Sequence, residues 1–254
     1  EPGFLYGWGL FESMRSCKGT IVYLNQHLQR LFSSSKLISL EPPFSLQKLK
    51  GAVKKTVAIN GLNDAYVRLT LWKSLKATRV LVSAKQYKSY PLQKYRQGFK
   101  AAVSDLRQNE SSPLARIKTT NRILYQLSLQ GAKDKGFDEA LILNNRGYIT
   151  EATRSNVFAL KHKELFTPCL GCGCLDGITR SVIFNLAKGG NIKIYEAKLN
   201  LKDLHEADEA FLTNSLMGVM PLVSVAGRQI GPGTPGEATG YFIKKYNFLL
   251  KNGT

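Results

Sequence analysis

"ARIKTTNRILYQLSLQGAKDKGFDEALILN" (115–144) places Lys118 at the front of a run with helical spacing and follows that run with the unbroken aliphatics of a strand. A helix that feeds a buried strand opens an α/β arrangement, and the next residues extend it. Asn145, Arg146 and Gly147 make a turn, and "GYITEATRSNVFALKHKELFTPCL" continues as short strands. "DGITRSVIFNLAKGG" then reads as a helix that begins after Gly177 and stops at Gly189 and Gly190. "IKIYEAKLN" is a strand, "LKDLHEADE" a short helix, "AFLTNSLMGVMPLVSVAGRQIG" paired strands and "GEATGYFIKKYNFLLKN" a final helix. Strands do not alternate regularly with long helices, so this part of the chain is mixed α and β and not a doubly wound sheet.

Upstream, "LFESMRS" and "GTIVYL" form a hairpin about Lys18 and Gly19. "NQHLQRLFSSSKLISL" carries Leu28, Leu31, Phe32 and Leu37 at helical spacing with Asn25 as its N-cap, and Ser45 caps a second helix that Gly61 ends. "AYVRLTLWKS" and "TRVLVSAKQ" close this half as strands. The polar stretch "QNESSPLA" (108–115) marks the boundary, giving a small α/β domain over 1–110, a linker over 111–117 and a larger domain over 118–254.

The chain has 254 residues, 43% of them hydrophobic, enough to bury a core without staples. Lysine and arginine number 36 against 18 acidic residues, a net charge of +18. That excess attracts anions and keeps a basic nucleic-acid or anion-binding protein in view, but the cations are scattered and no run of five like charges occurs. Of the 4 cysteines, Cys169, Cys172 and Cys174 cluster in "TPCLGCGCLDG" while Cys17 stands apart. No second Cys or His pair lies at zinc-site spacing, so free thiols in a reducing cytoplasm are expected, with no metal site. No apolar run has the length of a membrane span and no signal segment opens the chain, so a cytoplasmic protein without membrane partners is expected. The chain begins at Glu1 and not at Met, so a segment ahead of it is expected to be missing.

Lys118 is the first candidate for chemistry, because a cation at a helix start opposes the helix dipole and so calls for another use. Its plain alternative is an exposed basic side chain. Glu151, in "GYITEATRSNVF", sits at a strand end beside Ala152, Thr153 and Ser155, where a flat ligand has room. "LDGITRS" opens a helix with free backbone N–H groups, a ready anion site at Ile178 and Thr179. Arg30, in "HLQRL", offers a fork of donors suited to phosphate, or is an ordinary arginine on an amphipathic helix.

Together "GFLYGWGLFESMR", "HLQRL", "IKTTNR", "GFDEALILNNRGYITEATRSNVF", "LFTPCLGCGCLDGITR" and "EADEAFLTNSLMGVMPL" resemble, in order and spacing, the class IV aminotransferase family of fold-type IV pyridoxal-phosphate enzymes. The resemblance implies a two-domain fold, a small α/β domain beside a larger strand-rich pseudo-barrel, and a homodimer. It also implies that Lys118 is the Schiff-base lysine, anchor and acid/base in one. Glu151 would pair with the pyridine nitrogen, and Arg30, Ile178, Thr179 and Ser215 would hold the phosphate of pyridoxal 5'-phosphate. The physical logic agrees, since an amine can exchange imines with the cofactor aldehyde and a carboxylate favours a cationic ring nitrogen.

Within the family the motifs diverge. The usual aspartate of "YGDG" is Trp8, Arg79 has no histidine near it as the D-amino-acid enzymes do, and Ile123 stands where branched-chain enzymes usually have tyrosine. "IKTTNR", with Asn121 and Arg122, and "NSLMGVMPL" look more like aminodeoxychorismate lyase. The expected reaction is therefore conversion of 4-amino-4-deoxychorismate to 4-aminobenzoate and pyruvate. Amino transfer from branched-chain or D-amino acids is the alternative. Arg68, Tyr6 and Asn121 are the candidate contacts to a small anionic amino substrate, Arg68 being otherwise a surface strand arginine. Phe11 lines the same pocket or packs in the core.

Overall fold

The computed structural model describes residues 1–252. The chain divides into two compact units. One comprises Glu1–Ser89 with Ile117–Arg122 and the end of the last helix from Leu249, and the other comprises Tyr90–Arg116 with Ile123–Phe248.

The first unit opens with a short helix α1 (Pro2–Tyr6), then β1 (Gly9–Cys17), β2 (Thr20–Ile21), α2 (Leu24–Leu37), α3 (Leu46–Ile59), β3 (Ala65–Lys73) and β4 (Thr78–Gln86). Its four strands form an antiparallel sheet in the order β2-β1-β3-β4. Parity decides which side chains are covered. Ala65, Val67, Leu69 and Leu71 of β3 and Leu10 and Met14 of β1 are buried with Leu28 and Leu31 of α2 and Leu49 and Val53 of α3. The alternate residues Phe11, Arg68 and Thr70 point to the other face. The hairpin turn falls at Lys18 and Gly19, both left-handed. Ser45 caps α3, its Oγ accepting from Lys48 N–H at 3.3 Å. Asn25 does not cap α2: the N-cap is Tyr23, in the left-handed region, and Asn25 lies inside the helix.

The second unit holds α4 (Leu92–Gln97), β5 (Phe99–Gln108), α5 (Ile123–Asp134), β6 (Glu139–Asn144), β7 (Ile149–Ala152), β8 (Asn156–Lys161), β9 (Glu164–Pro168) and α6 (Ile178–Gly189). It continues through β10 (Ile194–Ala197), α7 (Leu201–His205), β11 (Glu209–Asn214), β12 (Gly218–Val225), β13 (Arg228–Gln229) and α8 (Glu237–Asn252). Strands run β10-β9-β8-β11-β12-β5-β6-β7 in one curled sheet, with β13 beside β12. Its core joins the β6–β7 end of that order to its middle, Leu141, Leu143 and Ile149 packing with Val157, Leu212, Met220 and Leu222.

The fold class is mixed α/β, as the motif order implies, but the division of the chain differs from the boundary expected at 108–115. β5 leaves the first unit because it pairs in parallel with both β6 and β12. Residues 117–122 return to the first unit because Thr119 bridges Leu10 and Lys118 O accepts from Phe11 N–H at 2.9 Å. Lys118 is accordingly not at a helix start. It lies on an extended segment between a 3-10 turn (Pro113–Arg116) and α5, so the helix-dipole cost does not apply to it.

Candidate active site

In the first unit, Lys118 lies beside β1 on the face away from the helices. Thr120 N–H donates to Gly9 O at 2.9 Å and its hydroxyl to Gly7 O at 2.8 Å, fixing the 118–120 segment against the start of β1. A Cβ on Gly9 would lie 2.7 Å from Leu71 O and 2.8 Å from Thr120 Oγ1, so this close approach needs glycine. The Lys118 ammonium sits 4.7 Å from the centre of the Phe11 ring, and the Arg68 guanidinium 3.8 Å from the same ring. Both cations gain from the aromatic quadrupole and are held at one apolar surface. Arg68 Nε also donates to Thr70 Oγ1 at 3.2 Å. Lys118, Arg68 and Phe11 are thus brought together, and Phe11 is the contact between the two cations. Tyr6 is 72% exposed on α1, and Asn121 is exposed, its Cβ and Cα 3.2 and 3.3 Å from where a Gly7 Cβ would stand.

Glu12 occupies the covered side of β1 between Leu10 and Met14, where alternation calls for an apolar residue, and it is 1% exposed. α2 answers it. Arg30 Nε donates to Glu12 Oε1 at 2.8 Å and Arg30 Nη2 to Oε2 at 2.6 Å, while His27 Nδ1 lies 2.7 Å from Oε2. Burial raises the Glu12 carboxyl, but the Arg30 charge and the His27 contact outweigh it and hold it at about 2. Burial pushes His27 below its ordinary value, more than Glu12 raises it, with the charges of Arg30 and Lys118 adding to the drop. At neutral pH a neutral His27 therefore donates Nδ1–H to an ionised Glu12. Arg30, expected on phosphate, is oriented by a fork-to-fork pair with Glu12.

In the second unit Glu151 is 5% exposed on β7. Its Oε1 accepts from the Tyr125 hydroxyl at 3.0 Å and its Oε2 from Leu175 N–H at 3.2 Å. Tyr125, on α5, was not among the expected site residues; its place two residues after Ile123 puts a buried hydroxyl on the inner side of that helix.

α6 starts at Ile178 behind Gly177, with no side chain capping its first amides. Gly177 presses on Asn156: a Cβ there would lie 2.0 Å from Asn156 Oδ1, and Asn156 Nδ2 donates to Leu175 O at 2.8 Å. Asn156 in turn stands opposite Thr213 across β8 and β11. Around this point three buried hydroxyls, Ser155 Oγ, Thr179 Oγ1 and Thr213 Oγ1, have no hydrogen-bond partner among the described residues. Buried hydroxyls left unpaired carry a desolvation penalty of roughly 1–3 kcal/mol each. An acceptor-rich anion at the helix start would relieve it, together with the open amides. Ser215 lies in the β11–β12 turn, where Asn214 Oδ1 accepts from Leu216 and Met217 N–H and Asn214 Nδ2 donates to Arg154 O at 3.0 Å.

Each unit holds donors of the kinds that pyridoxal phosphate takes: the first a primary amine at an apolar face, the second a buried carboxylate accepting from Tyr125 and Leu175 and unpaired hydroxyls beside open helix amides. Ile178, Thr179 and Glu151 are assembled in the second unit, whereas Lys118, Arg30 and Arg68 belong to the first.

A sequence model of the family described as amino-transferase class IV matches residues 9–225. The branched-chain-amino-acid aminotransferase of Pseudomonas aeruginosa is 31% identical over 98% of this chain and 86% of its own. The crystal structure of the Escherichia coli branched-chain amino acid aminotransferase superposes with a TM-score of 0.94 at 28% identity, covering 99% of this chain and 88% of that one. A candidate 4-amino-4-deoxychorismate lyase from Legionella pneumophila superposes with a TM-score of 0.87 at 22% identity, covering 98% and 92%, a likeness of fold.

Proposed function

The chain belongs to the class IV aminotransferase family, and from that premise we propose that it moves the amino group of a branched-chain amino acid to a 2-oxo acid. It is a pyridoxal-phosphate enzyme. The observation that carries the reading is the likeness to branched-chain aminotransferases over 98% or more of this chain, in sequence at 31% identity and in structure at a TM-score of 0.94. The reaction expected from Asn121 and Arg122, elimination of pyruvate from aminodeoxychorismate, has a likeness at 22% identity behind it, which speaks to the fold alone. Amino transfer is therefore the better-supported reaction.

When bound, the cofactor supplies an aldehyde for amine exchange and a ring that accepts an electron pair. Lys118 would hold the aldehyde end covalently and, once released, carry the proton between the substrate α-carbon and itself. Phe11 and Arg68 lie against that amine and set an apolar floor with one cation, Arg68 being the group to receive a substrate carboxylate. Glu151, kept in place by Tyr125 and Leu175, would hold a proton on the ring nitrogen. Ile178, Thr179 and Ser215 would bind phosphate oxygens, and Arg30, aimed by Glu12, would add a charge-assisted donor. The reading carries with it a small anionic amino substrate and a homodimer, which sedimentation of the loaded protein tests.

The deciding assay incubates the protein and pyridoxal phosphate with leucine and 2-oxoglutarate, and separately with aminodeoxychorismate and no oxo acid. Appearance of glutamate with the leucine-derived oxo acid is the expected result. Release of 4-aminobenzoate and pyruvate without amino transfer would return the assignment to the lyase.

A further inference from the structure

Outside the residues used above, the second unit holds a thiol cluster with geometry of its own. "CLGC" (169–172) turns tightly: Cys172 N–H donates to Cys169 O at 2.8 Å, residues Leu170–Cys172 form a 3-10 turn, and Gly173 follows in the left-handed region. The turn brings Cys169 Sγ within 3.4 Å of Cys172 Sγ, and both cysteines are free. A disulfide needs about 2.0 Å between sulfurs and Cβ atoms on one side of a short loop, so side-chain rotation has only about 1.4 Å to close. Among the described residues no three His, Cys, Asp or Glu side chains are grouped to hold a metal ion. The cluster is therefore read as thiols.

We propose that Cys169 and Cys172 form a reversible thiol–disulfide site that takes a low-molecular-weight disulfide of the glutathione class, with Cys169 as the entry thiol and Cys172 as the resolving thiol. Exposure sets the order, since Cys169 is half-buried and Cys172 only 2% exposed. Burial first, and the neighbouring Cys169 second, push the Cys172 thiol up to about 12, so it is protonated until Cys169 has reacted. Cys174 stays outside the pair: burial raises it further still, and its Sγ donates toward Pro168 O at 3.5 Å and Cys169 O at 3.6 Å.

The exchange balances in two steps. Cys169, as thiolate, attacks one sulfur of the oxidant disulfide; a Cys169–glutathione bond forms, the oxidant S–S bond breaks, and the first glutathione leaves as a thiolate and takes up a proton. Cys172 then loses its proton and attacks Cys169 Sγ, expelling the second glutathione. Two protein thiols are oxidised by two electrons and one external disulfide is reduced to two thiols. The site neighbours the cofactor residues through its backbone, since Cys172 O accepts from Asn144 Nδ2 at 3.2 Å and Leu175 N–H lies on Glu151. The inference stands whether the enzyme transaminates or eliminates.

The test equilibrates the full reduced chain in buffers of oxidised and reduced glutathione, blocks remaining thiols by alkylation, and weighs the cysteine peptides. Cys17, the only cysteine of its own unit, serves as the reference for plain glutathione adduct formation. The expected result is a 169–172 peptide lighter by two hydrogens, restored by dithiothreitol, with Cys174 recovered as a thiol. In Cys172→Ser, Cys169 should instead accumulate a glutathione adduct. Recovery of Cys169 and Cys172 as free thiols in buffers that have already modified Cys17 would overturn the proposal. So would a wild-type chain that stops at the Cys169 adduct.

Discussion

Glu12 shows how a single residue departs from the pattern around it. In "LFESMRS" strand parity pairs it with Leu10 and Met14, so a carboxylate there is a charge on the covered side of a sheet, and His27 and Arg30 are what make it tolerable. Its folded carboxyl at about 2 lies below the unfolded value near 4.5, so the stability it contributes is full above 4.5 and is lost as pH falls toward 2. His27, also depressed, contributes in the same direction: its share is full above its ordinary 6.5 and declines as pH falls below that. Denaturant titrations should show stability falling on acidification in both windows. Glu12→Gln should cost about 3 kcal/mol at pH 7 and flatten the lower window; an unchanged acid profile in that variant would contradict the network. Glu151→Gln keeps the acceptor for Tyr125 or Leu175 but removes the charge, and turnover should fall on the order of 10² with little change in melting temperature. Sequence leaves Phe11 open between pocket and core because its contact with Lys118 is distant along the chain, and it gives Glu12 no role because that role depends on strand parity and on which face of α2 carries His27 and Arg30.

At the scale of elements, the start of α6 was legible. Gly177 ahead of a helical run announces a helix with open amides, and α6 begins at Ile178 as that pattern implies. What no spacing could give is the convergence of Ser155, Thr179 and Thr213, which depends on β8 and β11 being neighbours. Thr179→Val removes a hydroxyl that is unpaired without cofactor. The cofactor-free protein should therefore melt at or above its original temperature, while pyridoxal phosphate is retained roughly 10- to 100-fold less tightly, the weight of a hydrogen bond to a charged group. Equal losses in both measurements would mean that the hydroxyl is structural. Gly177→Ala drives a methyl into Asn156, whose amide is tied to Leu175, and should cost about 1–3 kcal/mol of folding stability as an overpacked contact. Thermal unfolding checks it. The α2 cap was misplaced by sequence because a left-handed Tyr23 carries no composition signal, whereas the Ser45 cap follows ordinary preference.

For the whole molecule, local patterns name most of the helices and strands, but not α1, α4 or β5, and not how the chain is shared between its two units. The polar run at 108–115 looks like a linker, yet β5 before it is committed by parallel pairing to strands far along the chain. The lysine segment after it returns to β1 by backbone hydrogen bonds. Parallel pairings and single bridges of this kind leave no periodicity to read. Ordered motifs carried the family and its cofactor, while the choice of reaction followed Asn121 and Arg122 toward a lyase that the relatives do not favour. Lys118, lying on the Phe11 ring, is the amine we propose to carry the cofactor. Borohydride reduction of the pyridoxal-phosphate-loaded chain, followed by peptide mass mapping, tests it most directly. One phosphopyridoxyl group per chain, on Lys118, and none fixed in Lys118→Ala is the expected result; a label on another lysine, or undiminished labelling of that variant, would contradict the assignment.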